Sequence, residues 1–244
     1  MKEILTSVIL AVGLPLFAAD IYLAGDSTMA NYSAKSAPQT GWGQMLKDFC
    51  REDVNVYNYA KGGRSSKSFR SEKIWDALMK KVQPGDFVLI QFGHNDAHTG
   101  EKNLYRFADP ENAFPVYLKK YIEDVRKKGA VPVLLTPTSL CKFQNGAAWN
   151  PRKLPQYVEA VKRAAAEEHV DLIDINAWGI KALTELGEAR ALKLYMNLSP
   201  GEFPNYPKGK KDTTHFQLAG ACFFANGVVE IAKKRNLKLA SLFK

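Results

Sequence analysis

Five short apolar runs recur along the chain, each closed by turn residues and followed by a helical spacing pattern: Ile21–Ala24, Val54–Tyr57, Phe87–Phe92, Val131–Thr136 and Val170–Ile173. Runs that are apolar at successive positions suit strands covered on both faces, as parallel strands are. Between and after them, apolar residues at three- and four-residue intervals predict helices over Trp42–Arg51, Lys73–Val82, Pro110–Lys128, Leu154–Glu168 and Leu218–Lys234. Pro84-Gly85 and Gly129 supply the stops. Strand and helix in alternation predict an α/β fold, a three-layer α/β/α sandwich around a five-stranded parallel sheet with right-handed crossovers. Two long stretches carry neither period, Pro137–Pro155 and about Leu194–Thr214. They are expected to be loops overhanging the carboxyl edge of the sheet, where α/β domains bind ligands.

The start of the chain departs from this pattern. Lys2 is followed by a nearly continuous apolar stretch, Ile4 to Phe17, and then by Ala18-Ala19. That order reads as a secretory signal peptide over 1–19, ahead of a single catalytic-size domain over 20–244. The run is short for a membrane span, and no later segment is apolar enough for one, so no stable membrane insertion is expected. The expected destination is the periplasm or the medium.

Charge and cysteine content refine the picture slightly. Lysine and arginine total 34 against 25 acidic residues, a formal charge of +9, which favours anionic partners. Export argues against nucleic acid among them. Of the three cysteines, Cys50, Cys141 and Cys222, one pair could bridge in an oxidising compartment, with the spacing silent on which. Cys50 and Cys222 lie in helical patterns and read as small core residues. None has the close spacing of a zinc site.

Four turns carry candidate chemistry. Gly25-Asp26-Ser27-Thr28 follows the first run and raises a serine hydroxyl at the sheet edge. Ala60-Lys61-Gly62-Gly63-Arg64-Ser65-Ser66 follows the second, where a glycine pair exposes backbone N–H groups. The order of a phosphate loop is absent. Gly93-His94-Asn95-Asp96 follows the third and offers a neutral side-chain amide. His94 and His98 are four apart but leave a strand into a loop, so no metal is expected there. Asp212-Thr213-Thr214-His215 precedes the last helix, a spacing that lets the carboxylate reach the imidazole Nδ1–H. One nucleophile, one oriented base and three candidate oxyanion donors (the Ser27 N–H, the Gly63 N–H and the Asn95 amide) form a set suited to acyl transfer.

These four blocks, in this order, resemble the SGNH hydrolases of the GDSL type. Flanking matches at Ala24–Ala30, Gly41-Trp42-Gly43 and Gly63-Arg64-Ser65 look like the rhamnogalacturonan acetylesterases among them. The resemblance implies a flavodoxin-like sheet and Ser27 as nucleophile. It implies Ser27, Gly63 and Asn95 as the oxyanion hole and Asp212 and His215 as the rest of a triad, with no metal or cofactor. Thr28 stands where the GDSL pattern has leucine, which leans away from lipolytic members. The expected activity is removal of acetyl groups from an acidic polysaccharide by a secreted, monomeric serine esterase. Arg64, Lys208, Lys210 and Lys211 would meet uronate carboxylates, and Trp42 or Trp149 would stack on sugar rings. The alternatives are a lipase, lysophospholipase or thioesterase on the same scaffold, and a non-catalytic carbohydrate-binding module.

Overall fold

A computed structural model of the protein describes residues 19–151 and 153–244. The signal peptide expected over 1–19 therefore lies outside the described residues apart from Ala19. From there β1 (Ile21–Gly25) leads through β2 (Gln39–Thr40) and α1 (Trp42–Met45) to β3 (Val56–Asn58). Helices α2 (Ser66–Ser71) and α3 (Ile74–Met79) precede β4 (Phe87–Gln91), and α4 (Ala113–Lys127) precedes β5 (Val131–Leu135). A small hairpin follows, β6 (Phe143–Gln144) and β7 (Ala147–Ala148), then α5 (Leu154–Glu167) and β8 (Asp171–Ile173). Helices α6 (Ile175–Leu186) and α7 (Glu188–Leu192) lead to β9 (Tyr195–Leu198), β10 (Lys210–Gln217) and α8 (Leu218–Lys234).

The main sheet has the order β3-β1-β4-β5-β8 and is parallel throughout. Its period of two sorts the side chains into two cores. Ile21, Leu23, Phe87, Leu89, Val133 and Leu135 pack with Trp42, Leu183, Phe224 and Val228 from α1, α6 and α8 on one face. Tyr22, Ala24, Val88, Ile90 and Leu134 pack with Trp75, Leu118, Tyr121 and Tyr157 from α3, α4 and α5 on the other. The three layers expected from the apolar runs are thus present. Strand order reverses between β1 and β4, which opens a crevice at their carboxyl ends.

Some elements differ from the periodic reading. The helix expected over Trp42–Arg51 changes to a 3-10 turn at Leu46–Phe49. Helices α2, α6 and α7 add to those the spacing predicted. The two stretches read as loops contain short strands: the β6–β7 hairpin in the first, and β9 with the start of β10 in the second. A second, antiparallel sheet, β2-β10-β9, results. Its central strand, Lys-Lys-Asp-Thr-Thr-His-Phe-Gln, buries only Phe216 fully. That strand has no apolar alternation to announce it. Cys50, Cys141 and Cys222 are all free thiols, so the possible bridge is not formed. Cys50 and Cys141 are buried in the core, while Cys222 is partly exposed.

Candidate active site

The turn after β1 is built by its own polar groups and by glycines that let backbone approach backbone. The buried Asp26 carboxylate accepts from the Thr28 N–H and hydroxyl, both at 2.9 Å. Trp42 N–H donates to the Thr28 carbonyl at 2.9 Å, which lays α1 against the turn. A Cβ at Gly41 would stand 2.2 Å from the Ala30 carbonyl oxygen, and one at Gly43 would stand 2.5 Å from that of Met29. Only glycine fits there. Trp42 itself is fully buried, its indole N–H donating to Gln91 Oε1 at 2.9 Å, while Gln91 Nε2 donates to the Thr136 carbonyl at 3.0 Å. The expectation that Trp42 stacks on a sugar ring is therefore corrected: it is a core residue that joins three strand ends.

Ser27, at the head of this turn, has its Oγ 2.8 Å from His215 Nε2. His215 comes from β10, 188 positions later in the chain. The strand bulges here: five steps along β10, from Lys211 to Phe216, match two along β9, from Asn197 to Tyr195. Within the bulge Asp212 Oδ1 accepts the backbone N–H groups of Thr214 (2.9 Å) and His215 (3.0 Å), an Asx turn that fixes the carboxylate. Its Oδ2 is left for His215 Nδ1 at 2.7 Å. Burial alone would raise the Asp212 carboxyl. The bond and charge of His215, with the backbone donors, outweigh that and hold it below the ordinary carboxylate range. An ionised Asp212 places the imidazole proton on Nδ1 and leaves Nε2 to accept from the serine hydroxyl.

Gly63 and Asn95, the other expected oxyanion donors, stand on the turns after β3 and β4. A Cβ on Gly62 would come within 3.7 Å of Ser27 Cβ, so the glycine turn lies against Ser27. Gly63 has φ +79°, a conformation side-chain-bearing residues rarely adopt. Neither the Ser27 nor the Gly63 N–H donates to protein among the described residues. Asn95 is buried, with Nδ2 donating to the Arg64 carbonyl (3.0 Å) and Oδ1 accepting from Arg106 Nη1 (3.1 Å). Those contacts fix which way the amide faces and leave its second N–H free for a ligand.

Asp96 clamps this turn to the next helix. Its carboxylate accepts from the Ser66 N–H (3.0 Å), the Ser66 hydroxyl (2.5 Å) and the Gly93 N–H (3.0 Å). Burial pushes that carboxyl up to about 7, against the pull of the Ser66 donors. Gln91, Arg106 and the Asp96–Ser66 pair were not singled out as site residues. Gln91 left a trace, a polar residue ending an otherwise apolar strand.

The other expected substrate contacts scatter. Arg64 is bound to Glu72 at 2.8 Å and to the Gly62 carbonyl at 2.8 Å. Lys210 turns inward to Asp212 Oδ2 at 3.2 Å. Lys208 and Lys211 are exposed on and beside β10. Trp149 is 40% exposed and lines a separate groove with Pro155, Glu159 and Lys162. Beside the serine relay is a cleft of about 580 Å³ lined by His94, His98, Thr99, Leu140, Lys153 and Thr214, among others. His94 Nε2 lies 3.2 Å from Thr138 Oγ1, and burial holds His94 below the usual histidine range, as partial desolvation and the Arg106 charge do for the exposed His98.

Among known proteins, the sequence profile of the GDSL-like Lipase/Acylhydrolase family matches residues 23–220. The probable rhamnogalacturonan acetylesterase YesY of Bacillus subtilis (strain 168) is 38% identical over 219 residues, 90% of this chain and 94% of that protein. The rhamnogalacturonan acetylesterase RhgT of the same organism is 36% identical over 220 residues, 90% of this chain and 91% of that protein. The crystal structure of YxiM from Bacillus subtilis superimposes with a TM-score of 0.77 at 31% identity. The match covers 90% of this chain but 57% of that longer one.

Proposed function

Because the chain belongs to the GDSL-like lipase/acylhydrolase family and is a serine hydrolase of ester bonds, we propose that it removes acetyl groups from an acidic polysaccharide of the rhamnogalacturonan type. The single observation that carries the catalytic part is the continuous relay from Ser27 Oγ through His215 to Asp212, at 2.8 and 2.7 Å. His215 Nε2 takes the serine proton as Oγ attacks the acetyl carbonyl. The oxyanion accepts from the Ser27 and Gly63 N–H groups and the Asn95 amide. The imidazolium then gives its proton to the departing sugar oxygen, leaving acetyl-Ser27. Water, deprotonated by the same nitrogen, releases acetate and restores the serine.

The cleft beside the relay supports a glycan over a long acyl chain. Its lining carries one ammonium, Lys153, and two histidines held towards the neutral form, His94 and His98, and threonines interrupt its apolar wall. Such a wall suits hydroxyls and carboxylates better than methylenes. The names of YesY and RhgT point to the same substrate class. Export through the leader read at 1–19 belongs to this proposal, and N-terminal sequencing of the secreted protein tests it. The activity test is acetate release from acetylated pectin, acetylated xylan and a p-nitrophenyl ester series, with Ser27→Ala alongside. Acetate ester preferred over octanoate, acetylated pectin over xylan, and no turnover by folded S27A are expected. Preference for octanoate would make the enzyme lipolytic, and turnover by S27A would remove the serine mechanism.

A further inference from the structure

Lys210 stands two residues before Asp212 on β10, and its position is set from three sides. Nζ lies 3.2 Å from Asp212 Oδ2, the same oxygen that receives His215 Nδ1. It lies 3.3 Å from Gln39 Oε1, contributed by β2, and 5.5 Å from the centre of the Tyr206 ring. Tyr206 is itself bound to the Ser36 carbonyl, and Asn205 donates to the carbonyls of Ala34 and Ala37. The ammonium group is thus held in a pocket made by the β9–β10 connection and the segment before β2. Its side chain retains 31% exposure, against 16% for Asp212.

We propose that Lys210 is a fourth member of the acid–base relay, a positioning residue whose ammonium group fixes the Asp212 carboxylate and keeps His215 in its proton-accepting form. The inference rests on Ser27, His215 and Asp212 being the catalytic relay, but not on which glycan is cleaved. The charges around His215 explain the need. Asp212 contacts it directly, and Asp26, fully buried beside Ser27, has a second oxygen without a partner among the described residues. Tyr32, from the loop after β1, is kept neutral, its phenol pushed up to about 12 by burial. His94, from the loop after β4, is kept neutral by burial as well. Tyr206 faces Lys210 with its ring, and Lys211 is exposed to solvent.

The charge in contact with the imidazole is the Asp212 carboxylate, and the Lys210 ammonium shares its Oδ2. A carboxylate at that distance favours the imidazolium, the form that cannot take the serine proton. One ammonium on Asp212 offsets that bias and still leaves the carboxylate ionised to orient Nδ1–H. The same contact occupies a lone pair of Oδ2, so the carboxylate has less freedom to rotate away from the imidazole.

The test compares wild type, Lys210→Met and Lys210→Arg on p-nitrophenyl acetate, a neutral ester with no sugar to contact. For K210M the acidic limb of kcat/KM should move to higher pH by about half a pH unit, the scale of one partly solvated charge at close range. The plateau rate should fall, and K210R should restore the limb. The pH titration of the His215 imidazole, followed by NMR, should move the same way in K210M without reference to any substrate. Superimposed limbs and titrations, with only a lower melting temperature, would make Lys210 purely structural. An unchanged aryl acetate profile with a raised KM for acetylated pectin would make it a glycan contact. Failure of the wild type on every acetyl ester would sink the acetylesterase reading, while the imidazole titration would still decide the role of Lys210.

Discussion

The proposed nucleophile and oxyanion donors sit on the carboxyl edge of a sheet whose strands β1 and β4 are buried at every position. The proposed acid–base pair sits on β10, where only Phe216 of eight residues is fully buried. The first region is placed by apolar packing on both faces of the sheet. The second is placed by hydrogen bonds and charges: the Asx turn of Asp212, the clasp of Lys210, and pairing with β2 and β9. Two different kinds of stabilisation meet at one bond, Ser27 Oγ to His215 Nε2. Packing gives the serine a fixed address, and a network of polar contacts delivers the base to it. Each region can therefore be disturbed separately, with different signatures in rate and in stability.

The sharpest break in the polar region is Asp212→Asn. The Asn keeps an acceptor for the Thr214 and His215 N–H groups but offers its NH2 to His215 Nδ1, favouring the wrong tautomer. The expected loss in kcat is about 10⁴-fold at neutral pH, as for the corresponding change in other serine relays. Stability should fall by about 1–3 kcal/mol, because the contacts of Oδ2 with His215 and Lys210 are both disturbed while the strand pairing stays. Rates on p-nitrophenyl acetate and a urea titration measure the two numbers. A small rate loss with a large stability loss would mean that Asp212 holds the bulge together and does not serve the imidazole.

Asn95→Ala probes the packed region with a smaller effect. Removing a donor to the oxyanion should lower kcat by about 10²–10³-fold with little change in KM. Arg106 and the Arg64 carbonyl lose their partner in this variant, so some stability should go as well. A drop in stability with kcat of the folded fraction intact would assign Asn95 to holding the two turns together. The comparison with D212N then separates a group that touches the reacting oxygen from one that orients the base.

How much of this was legible in the chain follows the same division. The five main strands were readable because burial on both faces writes an apolar run, and their observed bounds, such as Phe87–Gln91 and Val131–Leu135, differ from that reading by a residue or two. The helix over Leu218–Lys234 was readable to both ends from its spacing. Strand β10 was not, because charged and hydroxyl residues fill it, although the Asp212–His215 spacing marked its chemistry. Helix α6 was passed over, though Asp174 caps it and Gly187 ends it. Trp42 was read as a residue that stacks on sugar, and its neighbours along the chain do not reveal its burial. Its fate was decided by Gly41 and Gly43 closing on the serine turn, and by Gln91, 49 positions away. The partners of Arg64 and Lys210 were hidden for a related reason. Net charge does not reveal that Arg64 will find Glu72 or that Lys210 will find Asp212.

Asp96 qualifies the division, since it places a buried charge inside the packed region. Its carboxyl, pushed up to about 7 by burial, ties the Asn95 turn to the start of α2 through Ser66 and Gly93. In the unfolded chain the group returns to the ordinary value of about 3.9. Between about pH 4 and 7 the folded protein therefore holds a proton that the unfolded chain has released, and stability falls as pH rises through that window. One such proton limits the slope to about 1.4 kcal/mol per pH unit. Asp96→Asn removes the titration but keeps an acceptor for the Ser66 donors. It gives up the bond from Gly93 N–H, so the variant should be the less stable protein near pH 5. Its disadvantage should shrink towards pH 8, where the wild type carries the buried charge. Urea midpoints for both proteins across that range measure the gap. A gap constant with pH would mean that Asp96 stays ionised throughout, its three donors compensating for burial, and the packed edge would then rest on a charged clamp much as the polar strand does.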